Sequence, residues 1–140
     1  MNKERLSKLA DWLEAGAPHE HIEFDMGSFL GLTDANGNMT QNVKEACGSL
    51  CCIAGCAAQF FAPDELVAAI EIGGIGYNVL HIATKALDLD MKDARLLFLP
   101  PMNDLAYVGY SYDGITPKMA AKVIRHLIKT GKVNWRVISK

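Results

Sequence analysis

The residues with most chemistry to offer are four cysteines, Cys47, Cys51, Cys52 and Cys56, which fall within ten positions of one another. Cysteine zinc sites usually pair two C-x2-4-C units held apart by a loop, so that four thiolates surround one ion at about 2.3 Å. Here two C-x3-C spacings follow each other directly inside an apolar run that reads as one helix. On a helix Cys47 and Cys51 share one face, and Cys52 and Cys56 share another about 100° away. The four cannot converge on one tetrahedron, and a two-cysteine site would need His19, His21 or His81 to complete it. No metal site and no cofactor are assigned.

A reactive thiol is the second chemistry to weigh. Cys47-Gly48-Ser49 stands where the helix is expected to begin, and a helix N-terminus favours a thiolate. The stretch is a little like the papain-type Cys-Gly-Ser-Cys-Trp, but Leu50 is one residue too many and Cys52 stands where the Trp would be. A nucleophilic cysteine also needs a base within hydrogen-bond reach, and only His81 and His126 offer themselves. The simpler reading is packing: cysteine is among the most buried residue types and behaves as a small hydrophobe. Together with Gly48, Ala54, Gly55, Ala57 and Ala58 it makes a small-residue helix that neighbours can approach closely. No catalytic residue is therefore assigned, and an enzyme using Cys47 or Cys52 with a histidine is the competing reading.

Other patterns fall short of their templates. Gly73-Gly74-Ile75-Gly76 lacks the third small residue of a dinucleotide fingerprint, which would be Val79, and reads as a helix–helix corner. Asp34, Asn36, Asn38 and Glu45 match four calcium-loop ligand positions, yet Met39 replaces the required glycine, so the segment reads as a turn. His19-Glu20-His21-Glu23 has imidazole and carboxylate at short range, but four polar residues after a helix stop read as a solvated loop.

Charge is distributed unevenly. Residues 116–140 carry seven Lys/Arg and no Asp/Glu, giving +7, whereas residues 1–115 carry seven Lys/Arg against 16 Asp/Glu, giving −9 of the total −2. Lys118, Lys122, Arg125, Lys129 and Lys132 are spaced 4, 3, 4 and 3, which puts them on one stripe of a helix. Such a stripe either docks on the chain's own acidic body or faces a partner. Nucleic acid would call for interleaved aromatics and a basic surplus over the whole domain, and neither is present. A protein partner is expected ahead of nucleic acid, with Lys118, Lys122, Arg125 and Lys129 as candidate partner-binding residues.

The elements that must position these residues can be read from periodicity and caps. A helix is expected from about Lys3 to Ala15, with Asn2 as cap and Leu6, Leu9, Ala10 and Leu13 on its apolar face. From His19 to Thr40 the helical period is lost, and one short strand or hairpin is expected around the turn Asp34-Ala35-Asn36-Gly37-Asn38. Leu50 to Ala58 is apolar all round and reads as a buried central helix. Further helices are expected from Pro63 to about Ile70, from Tyr77 to Leu87 and from Asp90 to Phe98, with residues 99–115 as a long loop. Thr116, Pro117 and Gly131 then frame the best-marked helix.

A chain of 140 residues, 50% apolar and 21% charged, is expected to form one mainly α, compact multi-helix domain over residues 1–140, with one short hairpin. The longest apolar run is about half the ~20 residues of a membrane span, and the start does not resemble a signal peptide. A cytoplasmic location without membrane association is expected.

Several stretches together resemble a group of small phage and bacterial proteins. These are Phe24 to Phe29, Cys47-Gly48-Ser49-Leu50-Cys51-Cys52-Ile53-Ala54-Gly55, Leu97-Phe98, and Thr116-Pro117 through Thr130-Gly131-Lys132-Val133-Asn134-Trp135. The group's pattern is C-G-[ST]-x-x-C-x-A-G-x-A followed by T-P-x-x-A-x-x-V-I-x-x-L-x-x-T-G-x-V-x-W. The resemblance makes Cys47, Gly48, Cys52 and Gly55 the motif's fixed points, and it carries no activity. Phe29 stands where Trp is common, and Cys56 where His or Trp is common. Cys51 falls at a variable position, so Cys51 and Cys56 look like local substitutions. The function expected is that of a phage or mobile-element accessory protein that binds a macromolecule without catalysis, such as a host defence or regulatory protein.

Overall fold

Asn2 opens the chain's first helix, α1 (Lys3–Glu14), its side chain accepting the Arg5 N–H at 3.0 Å. The computed structural model describes residues 1–28, 30–40, 46, 48–72 and 76–139, without the side chains at 76 and 77. Leu6, Leu9, Ala10 and Leu13 are buried along one face of α1, as the 3.6-residue spacing predicts. Gly16, at φ +94°, turns the chain out of the helix into a left-handed conformation that suits glycine.

The segment that follows holds more strand than the expected hairpin. β1 (Ile22–Phe24), β2 (Leu30–Thr33), β3 (Met39–Thr40) and β4 (Gly48–Cys51) form a mixed sheet in the order β1-β4-β2-β3. β4 runs parallel to β1 and antiparallel to β2, with Glu23 opposite Leu50 and Leu50 opposite Gly31. The Asp34–Asn38 turn joins β2 to β3: the Asp34 carboxylate accepts the N–H groups of Asn36 and Asn38 at 2.9 and 3.0 Å. This is the turn predicted from its Asp/Asn/Gly content.

β4 corrects the reading of Leu50–Ala58 as one helix. The chain is extended as far as Cys51, Cys52 is the N-cap, and α2 (Ile53–Phe61) starts only at Ile53. A short apolar run has no periodicity that separates a buried strand from a buried helix. Residues Ile53 to Ala58 of α2 are all buried. Pro63, with Asp64 and Glu65 behind it, then starts α3 (Pro63–Ile72) at a 113° bend. The glycine corner at residues 73–75 lies outside the described residues, as do Phe29, Glu45 and Cys47.

α4 (Gly76–Ala86) packs on α2, and α5 (Met91–Phe98) begins at Asp90, whose side chain accepts the Asp93 N–H at 2.7 Å. The expected loop over 99–115 contains a short helix, α6 (Met102–Val108), capped by Pro101 and closed by Gly109 at φ +80°, and then a 3-10 turn at Tyr112–Gly114. Only Leu105 of α6 is buried, so it shows none of the apolar periodicity that marks longer helices. α7 (Pro117–Thr130) has the predicted Thr116 cap and Gly131 stop, and its apolar face lies along α1. A final 3-10 turn, Trp135–Ile138, buries Trp135 completely, and the indole N–H donates to the Leu96 carbonyl at 2.8 Å. The architecture is mainly α with a small sheet, and among the described residues no single helix is long and apolar enough to cross a membrane.

Candidate functional site

Ala120, Ala121, Val123, Ile124 and Leu127 face the core from α7, so its polar residues must face outward or sideways. Lys118, Lys122, Lys129 and Lys132 are exposed, and among the described residues none of them forms an ion pair. Arg125 behaves differently. Its Nε donates to Glu14 at 2.8 Å, one terminal nitrogen donates to Ser7 at 3.0 Å, and the other reaches Asp11 and Glu14. The guanidinium therefore clamps α7 to α1. Hydrogen bonding by Arg125 holds the Glu14 carboxyl below its ordinary range, and the two carboxylates push Arg125 up from its own. Of the candidate partner-binding residues, Lys118, Lys122 and Lys129 form an open row, whereas Arg125 is engaged within the fold.

Of the motif residues, Gly48, Cys52 and Gly55 sit at the junction of sheet and helix, and Cys47 lies outside the described residues. Gly48 lies where a side chain has no room: a Cβ there would stand 2.7 Å from the His21 carbonyl oxygen and 3.0 Å from the Thr33 hydroxyl. Gly55 is buried in the first turns of α2, and its carbonyl accepts from the Gln59 amide at 3.2 Å. The Gln59 side chain also accepts the Ser49 hydroxyl at 2.8 Å, tying β4 to α2.

Three of the four cysteines, Cys51, Cys52 and Cys56, lie among the described residues. Cys51 and Cys56 are joined in a disulfide between the end of β4 and the first turns of α2, which corrects the reading of both as packing residues alone. A continuous helix would put them on different faces. With Cys51 in a strand, the 100° rotation per residue no longer separates them, and their Cα atoms stand 5.6 Å apart. Cys52 is 2% exposed. Burial pushes its thiol up to about 11 against the opposing effect of the Gly55 and Ala54 backbone amides, and the charge of Asp25 adds to the rise. The helix N-terminus expected at Cys47 is thus at Cys52, where desolvation outweighs it. Among the described residues no group of three or more His, Cys, Asp or Glu gathers as a metal site.

His19 has a structural job: its Nδ1 accepts the N–H groups of His21 and Ile22 at 2.9 and 3.1 Å, holding the entry to β1. The sequence gives no sign of the concavity next to it. Glu23, Leu50 and Gly31 share the sheet face opposite the one that carries Ser49, Cys51 and Leu30 into the core. That outer face floors a groove of about 1120 Å³, flanked by Pro18–His21, the Asp34 turn and Pro117.

The chain matches no protein-family model, no curated protein and no solved structure.

Proposed function

We propose that this chain is a small accessory protein of a phage or mobile element, folded as one domain around α2, that acts without catalysis by binding an acidic protein. The binding surface is the exposed row Lys118, Lys122 and Lys129 on α7, and the partner class is a host defence or regulatory protein. The observation that carries this reading is the division of labour along one stripe: Arg125 neutralises α1, and three lysines at the same helical spacing are left to solvent. A row of exposed cations on a rigid, well-capped helix steers association with an acidic surface and makes it salt-sensitive. The likeness of the Cys47–Gly55 and Thr116–Trp135 stretches to phage and bacterial proteins supports the origin. The burial of Cys52 and its raised thiol pKa weigh against a catalytic cysteine at that position.

The test is co-purification from host lysate at low and at about 150 mM salt, comparing the wild type with the Lys118→Glu/Lys122→Glu/Lys129→Glu variant, with a duplex DNA probe run alongside. A protein held by the wild type and lost by the variant supports the proposal. Equal retention by both, or capture of the DNA probe in place of a protein, overturns it.

A further inference from the structure

β4 and α2 meet at a corner that is closed covalently. β4 ends at Cys51, α2 begins two residues later, and the Cys51–Cys56 bond spans the turn between them. The Cα separation of 5.6 Å is one that a disulfide bridges without backbone movement. Both cysteines are 0% exposed, and the Ser49–Gln59 hydrogen bond crosses the same corner beside them. Leu50, immediately before Cys51, belongs to the floor of the groove. Whatever fixes Cys51 to α2 therefore fixes the groove floor to the core.

We propose that Cys51 and Cys56 form a redox-controlled fastener that locks the groove's central strand to α2 when oxidised and releases it when reduced. On closing, the two thiols give up two protons and two electrons to a low-molecular-weight disulfide such as oxidised glutathione, which leaves as two thiols. On opening, two such thiols return them and leave as the disulfide. Because neither sulfur is open to solvent, exchange in the native protein requires the corner to open first. The fastener is set while the chain folds and is slow to change afterwards. Cys52 does not short-circuit it from within. Its thiol is pushed up to about 11 in the same apolar surroundings, so little attacking thiolate exists near neutral pH.

The experiment refolds the full chain in two buffers, one of reduced and one of oxidised glutathione, and compares intact mass, peptide map, Tm and amide exchange. The oxidised sample is expected to be lighter by two hydrogens, with the crosslink mapped to Cys51 and Cys56. Closing even this short loop raises Tm by about 5 °C or more in the chain-entropy account. The amides of β1 and β4 are expected to exchange more slowly in the oxidised form. A Cys56→Ala variant is expected to show the same Tm in both buffers, and the wild-type comparison stands without it should that variant fail to fold. Identical mass and Tm in the two buffers overturns the proposal, as does a crosslink mapped to another cysteine pair, or equal protection of β1 and β4 in both forms.

Discussion

Substituting Gly48 by alanine probes the junction on which the motif depends. The added methyl carbon would lie 2.7 Å from the carbonyl oxygen of His21 and 3.0 Å from the Thr33 hydroxyl. The hydroxyl can rotate away, but the carbonyl is backbone and already accepts the Ser49 N–H at 2.7 Å. Relief therefore requires β1 and β4 to separate by several tenths of an ångström along their ladder. Overpacking of this kind costs about 1–3 kcal/mol, which lowers Tm by roughly 3–10 °C for a chain of this size. Gly114→Ala is the matched control: its Cβ would meet only ordinary contacts, Tyr110 at 3.6 Å and Ser111 at 3.8 Å. The control is expected to be neutral or slightly stabilising, by about 0.4–1 kcal/mol at most, through the unfolded chain. Urea unfolding of the three proteins followed by circular dichroism makes the comparison. A Gly48→Ala protein as stable as the wild type would refute the close approach of β1 to β4.

Further outcomes follow from single contacts. Trp135→Ala is expected to destabilise by about 3–5 kcal/mol, since it empties a fully buried site and leaves the Leu96 carbonyl without its indole donor; denaturant titration measures it. Glu14 has a folded pKa lowered from 4.5 by Arg125, so the stabilisation it shares with that residue is present above pH 4.5 and is lost as the pH falls through the lower folded value. Arg125→Ala should flatten that part of the stability–pH profile, which thermal melts between pH 3 and pH 6 will read. Thr116→Ala is expected to cost about 1 kcal/mol by removing the hydroxyl that accepts the Met119 N–H at 3.2 Å. Cys52 should resist alkylation at neutral pH until denaturant is added, because it is both buried and pushed up to about 11; fast labelling of the native protein would contradict that.

What the sequence makes legible is what local rules encode. α1 and α7 are readable because Asn2, Thr116, Pro117, Gly16 and Gly131 mark their ends and leucine-type residues recur at 3.6-residue spacing between them. The Asp34 turn is readable for the same reason. β4 is not, since Gly48-Ser49-Leu50-Cys51 runs straight into an apolar helix and its strand identity comes from pairing with β1 and β2. The disulfide is hidden for the same reason, because it depends on Cys51 being extended. The basic stripe was legible as a stripe, but the engagement of Arg125 by Ser7, Asp11 and Glu14 spans more than a hundred residues and no local pattern announces it.

The proposed partner surface is the lysine row of α7, with Arg125 excluded from it. Titrating the captured partner against three proteins, the wild type, the Lys118→Glu/Lys122→Glu/Lys129→Glu variant and Arg125→Gln, tests it directly, with circular dichroism confirming that each is folded. The lysine variant is expected to lose at least tenfold in affinity and most of the salt dependence, and Arg125→Gln to bind within about twofold of the wild type while melting at a lower temperature. Binding that survives the three lysine reversals, or that fails with the Arg125 change alone, would contradict it.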